Sequence, residues 1–374
     1  MSEREVDGDR PRAALGNLAT PDSGETMSEA RTAGGTQPVM VDVAALAGVS
    51  HQTVSRVLNG SPHVRAQTRE RVLAAIRKLD YRPNTAARAL VTRRSQTLGV
   101  ISFDTTLYGP SQMLYGIEQA ARAAGYYISI ASLRDQDTFS VHEAVDRLRD
   151  QAVEGIAVIA SRVSAMAALA RQIATVPMVT VGPTDPGRLP GAGVDNEAGA
   201  RAAVRHLLDL GHETVHHVAG PDDWLEAKAR QVGWRGALQD HGRPVPDCLP
   251  GDWSARSGYQ AALRLADDPG VTAVFCANDH MALGVVRGLH QTGRRVPRDV
   301  SVVGFDDIPE AAFLTPPLTT VRQHFGELGR CGLELLLHRV QFSAPTAAGD
   351  DSSHQVAIVT PELIVRASSA KPGR

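Results

Sequence analysis

Apolar side chains recur at helical spacing in the segment that follows the first 38 residues. The spacing predicts one helix that ends before Gly48 and a second over His51–Leu58. Ala44, Gly48 and Val54 supply, in order, the small contact residue, the tolerance for a left-handed turn and the apolar lock that a helix-turn-helix requires. We therefore interpret residues 39–82 as a helix-turn-helix headpiece, although a short amphipathic hairpin without a DNA-binding role would show the same spacing.

Two further helices are predicted after this pair. Ala66–Leu79 carries an apolar stripe, and a short alanine-rich helix follows at residues 85–92, with Asn84 as a candidate cap. A helix of about eight residues is marginal on its own, because isolated helices need about 12 to 15 residues in water. We assign residues 83–96 to this hinge helix and its linker, and the polar residues 1–38 to a disordered tail.

The periodicity changes at residue 97, where short β-rich apolar runs begin to alternate with helical segments. This alternation predicts an α/β core made of two lobes, each a doubly wound parallel sheet. The glycine-rich run GAGVDN at residues 191–196 is interpreted as a loop. The boundaries that follow are 97–195 with 323–352 for the N-terminal lobe, 196–322 with 353–367 for the C-terminal lobe, and 368–374 for a tail.

Polar side chains follow several of the predicted strands where each strand ends. Asn278 and Asp306 come directly after apolar runs, and Arg230 lies on the helix after a Gly-Pro pair. Because ligands of such sheets bind outside the carboxyl ends of the strands, these side chains are candidate contacts for the hydroxyl groups of a small molecule. Trp253 is a candidate for covering its apolar face. The structural alternative is that Asp306 caps a loop, Arg230 forms an ion pair and Trp253 belongs to the core.

The headpiece and hinge are basic, whereas the rest of the chain is acidic. Residues 39–97 contain ten Arg and Lys side chains against three Asp and Glu, although the whole chain has a formal net charge of -2. A basic module beside an acidic body is typical of a protein in which one part contacts nucleic acid.

Other classes of protein find little support. The sequence has no 18-residue apolar run and no export signal, which predicts a cytoplasmic protein without a membrane span. Its three cysteines lie far apart without metal spacing, and the four histidines between residues 206 and 217 are interpreted as helix, turn and strand residues rather than metal ligands. Asp306 and Asp307 lack a nucleophile or an acid/base partner, so we predict no enzyme activity and no cofactor.

The segments DVAALAGVS, TVSRVLNG and YRPNTAARAL resemble the headpiece of the LacI/GalR family of bacterial transcriptional regulators. The resemblance implies that the second helix reads base edges and contacts phosphates, and that the hinge helix folds on DNA and wedges between base steps in the minor groove. The family usually has Thr as the N-cap of the first helix. Val39 takes that place here, a loss of about 1 kcal/mol. The implied DNA contacts are Ser50, His51, Gln52, Thr53, Ser55, Arg56, Asn59, His63, Ala87 and Leu90.

The segments GDWSARSGYQAA, FCANDHMALGVVRGL and VPRDVSVVGFDDIPEA resemble the two-lobed, periplasmic-binding-protein-like core of the same family, so the resemblance spans residues 39–366. GDWSA is similar to the lac-repressor-like branch, which implies a galactoside or another glycoside as effector. Gly182 departs from an acidic ligand contact of that branch, and Trp224 replaces a small polar residue, so the identity of the sugar stays open. The implied effector contacts are Leu107, Pro110, Met113, Arg230, Trp253, Asn278, Asp306, Gln323 and Phe325.

The resemblance as a whole implies a repressor that binds a palindromic operator in double-stranded DNA as a homodimer and is switched by a small sugar. No heptad repeat follows the last apolar run, so a tetramer is not expected. Two alternatives remain: the same regulator with a purine or a sugar phosphate as effector, or a two-lobed solute-binding protein. The lack of a basic cluster near residues 107–113 disfavours a phosphate, and the headpiece disfavours a transport protein.

Overall fold

The computed structural model describes residues 38–82, 94–133, 138–159, 176–182, 189–342 and 356–373. The chain forms two compact units, Met1–Asn84 and Thr85–Arg374, and each is described by itself. The predicted hinge helix, including Ala87 and Leu90, and the predicted tail at residues 1–37 lie outside the described residues.

The described part of the first unit contains the helices α1 (Met40–Ala47), α2 (His51–Leu58) and α3 (Ala66–Leu79), and the predicted bounds of α2 and α3 are confirmed. Their small core includes Ala44 at the helix contact and Val54, which is fully buried. Gly48 ends α1 at a φ of 63°, the left-handed conformation that the turn requires. The predicted helix-turn-helix is therefore present.

The first two helices begin with different caps. The Ser50 hydroxyl accepts a hydrogen bond from the Thr53 amide at 3.3 Å and so caps α2. Val39 has no side-chain oxygen to offer at the start of α1, but its own amide donates to Oδ2 of Asp42 at 2.8 Å. Of the two hydrogen bonds of a capping box, the start of α1 therefore lacks the one from the N-cap side chain and keeps the one to the N-cap amide.

A six-stranded parallel sheet forms the first lobe of the second unit. Alternate residues of its strands point into two hydrophobic clusters, one beside the helix α5 (Thr138–Asp150) and the other beside α4 (Tyr108–Ala123) and α10 (Phe325–Phe342). Helices therefore cover both faces, as a parallel sheet requires. In spatial order the strands are β10 (Val356–Val359), β5 (Gly191–Val194), β4 (Met178–Val181), β3 (Ile156–Ile159), β1 (Thr97–Phe103) and β2 (Tyr127–Leu133).

A five-stranded sheet forms the second lobe, and only its edge strand β11 (Glu362–Ile364) is antiparallel. The helices α6 (Asn196–Asp209) and α7 (Leu225–Asp240) pack on one face, and α8 (Ala255–Ala266) and α9 (Asp279–Gln291) pack on the other. The predicted fold class is confirmed. The other strands are β6 (His216–Val218), β7 (Ala273–Cys276), β8 (Ser301–Asp306) and β9 (Thr319–Arg322).

Two strands of the first sheet differ from the sequence-based expectation. Residues 191–194 were expected in a loop, but they form β5, where a side chain larger than hydrogen at Gly191 would collide with Thr180 of the neighbouring strand. The strand β10 was expected in the C-terminal lobe, but Val356–Val359 pairs with β5 in the first sheet. The last crossing between the lobes therefore lies between β10 and β11.

The C-terminal residues also differ from the tail that we expected at 368–374. Ser368 is fully buried, its hydroxyl donates to the Val302 carbonyl at 2.6 Å, and it accepts a bond from the Thr319 amide at 2.7 Å. The Ala370 amide donates to the Ser301 hydroxyl at 3.0 Å. This segment therefore closes one end of the second sheet.

His217 is fully buried although it lies on β6, an edge strand of the second sheet. Its ring stacks between Trp234 and Phe275, with centroid distances of 5.1 and 4.9 Å, and its Nδ1 donates to the Phe275 carbonyl at 3.0 Å. Complete burial lowers the pKa of His217 to about 4, because the charged imidazolium would lose its hydration.

We expect Ser50→Ala to lower the stability of the headpiece by about 1 kcal/mol, because the Thr53 amide would lose its capping partner. Hydrogen exchange of the α2 amides in the full chain measures this change. Ser61→Ala, a serine of the headpiece outside the cap, is the control. Equal exchange in the two variants would contradict the role of Ser50.

We expect His217→Asn to flatten the dependence of stability on pH. The unfolded chain binds a proton at His217 below about pH 6.5, whereas the folded chain does so only near pH 4, so stability falls as the pH drops through that window. Because Asn does not titrate, the free energy of unfolding of the wild type should fall relative to the variant by about 3 kcal/mol between pH 7 and pH 4. Urea unfolding at both pH values measures the difference, and parallel curves would disprove the assignment.

Candidate functional site

The helix α2 presents a polar face to solvent. Val54 and Val57 turn into the core, and this fixes which side chains point outward. Among the predicted DNA contacts, those exposed are Ser50, His51, Gln52, Arg56, Asn59 and His63, whereas Thr53 and Ser55 are partly buried. Thr53 and Ser55 hold hydrogen bonds within the helix, to Ser50 and Asn59.

A cavity of about 330 Å³ lies in the second unit, and all nine predicted effector contacts line it. The carboxyl ends of parallel strands meet at one edge of each sheet, and the cavity lies where the two edges face each other. The first lobe and the crossing between lobes contribute Leu107, Pro110, Met113, Gln323 and Phe325, and the second lobe contributes Arg230, Trp253, Asn278 and Asp306.

A buried charged network forms the floor of this cavity. Oδ1 of Asp306 accepts a hydrogen bond from Nε2 of Gln323 at 2.6 Å and lies 3.6 Å from Nη1 of Arg230. Nε of Arg230 donates to Oδ1 of Asn196 at 2.8 Å. Burial raises the pKa of Asp306 to about 6, and Arg230 opposes that rise. Burial also lowers the pKa of Arg230, and the negative charge of Asp306 opposes that decrease.

Asp306 and its neighbour Asp307 have different roles. Asp306 adopts a φ of 109°, a costly conformation for a residue with a side chain, and it lines the cavity. Asp307 instead forms short ion pairs with Arg322 at 2.7 Å and Arg366 at 2.6 Å. The two carboxylates therefore do not form a pair on one substrate. The structural alternative of an ion pair for Arg230 is present in its contact with Asp306.

Aromatic side chains form one wall of the cavity. The Trp253 and Trp224 rings meet edge to face at 5.5 Å, and Trp253 has a φ of 70°. Asn278 holds this arrangement, because its Nδ2 donates to the Trp253 carbonyl at 3.1 Å while its Oδ1 caps α9 through the Met281 amide at 2.9 Å. Nε1 of Trp253 is buried and, among the residues that the structure describes, has no hydrogen-bond partner.

Several lining residues were not predicted as contacts: Tyr108, Trp224, Glu226, Asn196 and His280. Glu226 precedes Arg230 by four residues on α7, so helical spacing alone places both on one face. Asn196 comes shortly after the end of β5. Because residues 191–196 were interpreted as a loop, Asn196 was not recognised as a residue at a strand end. Tyr108 meets Phe325 edge to face at 5.9 Å. Burial, helped by Asp306 and other carboxylates, raises its pKa to about 12.

The four histidines considered as metal ligands in the sequence do not line the cavity. His206 is on α6, His216 and His217 are on β6, and His212 lies in the turn between them. Across the described ranges no group of three or more His, Cys, Asp or Glu residues is arranged to hold a metal ion. No helix of the described chain has the length and apolar character needed to cross a membrane.

Two family models match the chain. The model for bacterial regulatory proteins of the lacI family matches residues 39–84, and that for a periplasmic binding protein-like domain matches residues 204–369. The lactose operon repressor of Escherichia coli K12 is 36% identical over 82% of this chain and 85% of its own length. The ribose operon repressor of the same strain is 32% identical over 88% of this chain and 99% of its own length.

A solved structure is similar over most of the chain as well. The crystal structure of the lac repressor dimer bound to operator and the anti-inducer ONPF has a TM-score of 0.79 and 32% sequence identity, covering 90% of this chain and 100% of that one. The helix-turn-helix, the two-lobed core and these similarities lead to one conclusion: the chain belongs to the lacI family of bacterial regulatory proteins.

Proposed function

We propose that this transcriptional regulator is a repressor that binds a palindromic operator as a homodimer and is switched by a small sugar in the cavity between its lobes. The observation that carries the proposal is the convergence of Arg230, Asp306, Asn278 and Trp253 on one cavity that both lobes line. A cavity of this kind responds to its ligand by changing how the lobes close.

The chemistry of the cavity supports a sugar. A guanidinium, a carboxylate and amides can hydrogen-bond adjacent hydroxyl groups, and the rings of Trp253 and Trp224 offer an apolar wall for the carbon face of a pyranose. The volume of about 330 Å³ lies at the lower end of the range for small-molecule sites, which suits one or two sugar rings. A galactoside or another glycoside is the proposed effector.

The exposed face of α2 supports DNA reading. Gln52 can make a bidentate contact with adenine and Arg56 with guanine in the major groove. The proposed homodimer would place two such helices on the two half-sites of a palindrome. Its effector can alter operator affinity only by its own difference in affinity for the two states, which in allosteric proteins is about 1 to 3 kcal/mol.

We expect Gln52→Ala and Arg56→Ala each to cost about 1 to 3 kcal/mol of operator affinity and to relax the preference at one operator position, because a base contact is lost. Fluorescence anisotropy with the chain's own upstream DNA and single-base variants measures both effects. Arg77→Ala, which removes the same charge from the exposed end of α3, is the matched control and should leave the base preference unchanged. If the base preference of Gln52→Ala and Arg56→Ala equals that of the wild type, these two residues do not read the operator sequence.

We expect Asp306→Asn and Trp253→Ala to abolish the response to sugar while operator binding persists, because both change the cavity and neither lies in the headpiece. The measurement is operator binding titrated with lactose, cellobiose, methyl xyloside, ribose and adenine. If adenine releases the wild type from the operator and none of the sugars does, the effector is a purine rather than a sugar. If the sugar that releases the wild type from the operator also releases both variants, the sugar binds outside this cavity.

A further inference from the structure

The segment that leads from the predicted hinge into the second unit is held by one carboxylate. Oε1 of Glu154 accepts a hydrogen bond from the Gln96 amide at 2.8 Å, and Oε2 lies 3.1 Å from Nη2 of Arg94. Oε2 also accepts a hydrogen bond from the Tyr126 hydroxyl at 3.4 Å. The Glu154 side chain is only 10% exposed. We call these four residues the linker anchor.

Backbone hydrogen bonds hold the same segment. The Glu154 amide donates to the Thr97 carbonyl at 2.9 Å, and the Tyr127 amide donates to the Gln96 carbonyl at the same distance. Glu154 shortly precedes β3, and Tyr127 is the first residue of β2. Residues 94–97 are therefore fixed against the starts of these two strands.

Gln96 holds a backbone conformation that is unfavourable for a residue with a side chain. Its φ is 52°, in the left-handed region. Such a conformation persists only where the surrounding contacts hold it. Glu154 supplies one of these contacts, because its carboxylate accepts the hydrogen bond of the strained residue's own amide. Without that acceptor the segment would lose a reason to keep this conformation.

The linker anchor lies at the opposite edge of the first sheet from the cavity. Residues 94–96 precede β1, whereas Thr106 and Leu107, which line the cavity, follow it. The seven residues of β1 span about 20 Å, and Glu154 does not line the cavity. Glu154 therefore acts on the segment that joins the core to the headpiece and not on a ligand in the cavity.

We propose that Glu154 is a positioning residue for operator binding: it fixes residues 94–97 so that the predicted hinge leaves the core at a defined place and in a defined direction. A dimer reads two half-sites at a set spacing, so a defined exit reduces the conformational entropy that is lost on binding the operator. Non-specific binding depends on charge and needs no set spacing. The inference rests on the proposed function, since it assumes that a homodimer binds an operator.

The test compares Glu154→Ala with the wild type by fluorescence anisotropy on the full chain. Two labelled duplexes are used: the chain's own upstream DNA and a scrambled duplex of the same length and base composition. Glu154→Ala should bind the upstream DNA about tenfold more weakly, as expected for lost hydrogen bonds to a charged group, and should bind the scrambled DNA with unchanged affinity. Glu143→Ala is the matched control, because Glu143 is also a glutamate of the first lobe but pairs with Arg147 within its own helix.

Two further variants separate positioning from stability. Glu154→Gln keeps an acceptor for the Gln96 amide and loses only the charge that faces Arg94, so it should weaken upstream binding only about two- to threefold. When added to Glu154→Ala, Gln96→Gly should restore upstream affinity about two- to fivefold, because glycine adopts the left-handed conformation without strain. Ala152→Gly, which relieves a φ of 55° elsewhere in the first lobe, should restore none.

Each remaining outcome counts against the inference. A folding defect in Glu154→Ala would lower the affinity for both duplexes by the same factor, and that result overturns the positioning role. So does a failure of Gln96→Gly to restore binding, or equal restoration by Ala152→Gly. If Glu154→Ala and Glu143→Ala bind the upstream DNA equally well, the inference fails while the proposed function stands. If the wild type binds the upstream duplex no more tightly than the scrambled one, the proposed function fails as well.

Discussion

The carboxylate of Asp306 is buried where three parts of the second unit meet, and the arrangement of the cavity depends on how its charge is held. Asp306 ends a central strand of the second sheet, Arg230 reaches it from α7, and Gln323 reaches it from the crossing between the lobes. Removing one member of a buried charged group is costly, because the remaining charge loses its partner. The network therefore fixes the floor of the cavity and, through Gln323, connects that floor to the segment that joins the lobes.

The rest of the site is built around that floor by backbone geometry. Asn278 uses one side-chain atom to cap α9 and another to hold the Trp253 carbonyl, so the aromatic wall and the helix beneath it are positioned together. Gly220 lies against the Trp253 ring, where any larger residue would collide with it. The residues proposed to contact a ligand thus also hold one another, and the ion pair of Arg230 is compatible with the proposed ligand role.

Much of this organisation could be predicted from the sequence, because helical and strand periods and the positions after strand ends carry the information. The bounds of α2 and α3 and the convergence of Asn278 and Asp306 followed from local pattern. The strand β5 did not, since four small residues have no apolar period and acquire their strand character only beside Thr180. The pairing of β10 with β5 and the burial of Ser368 against Val302 depend on long-range contacts, which a local sequence pattern does not encode.

If a ligand in the cavity is thermodynamically coupled to DNA binding by the headpiece, each ligand must change the affinity for the other by the same factor. Sugar affinity is measured by calorimetry with and without saturating operator DNA, and operator affinity is measured with and without saturating sugar. We expect the sugar affinity and the operator affinity to fall by the same factor, about 5- to 150-fold for a typical allosteric protein. A sugar affinity that is identical with and without the operator would contradict it.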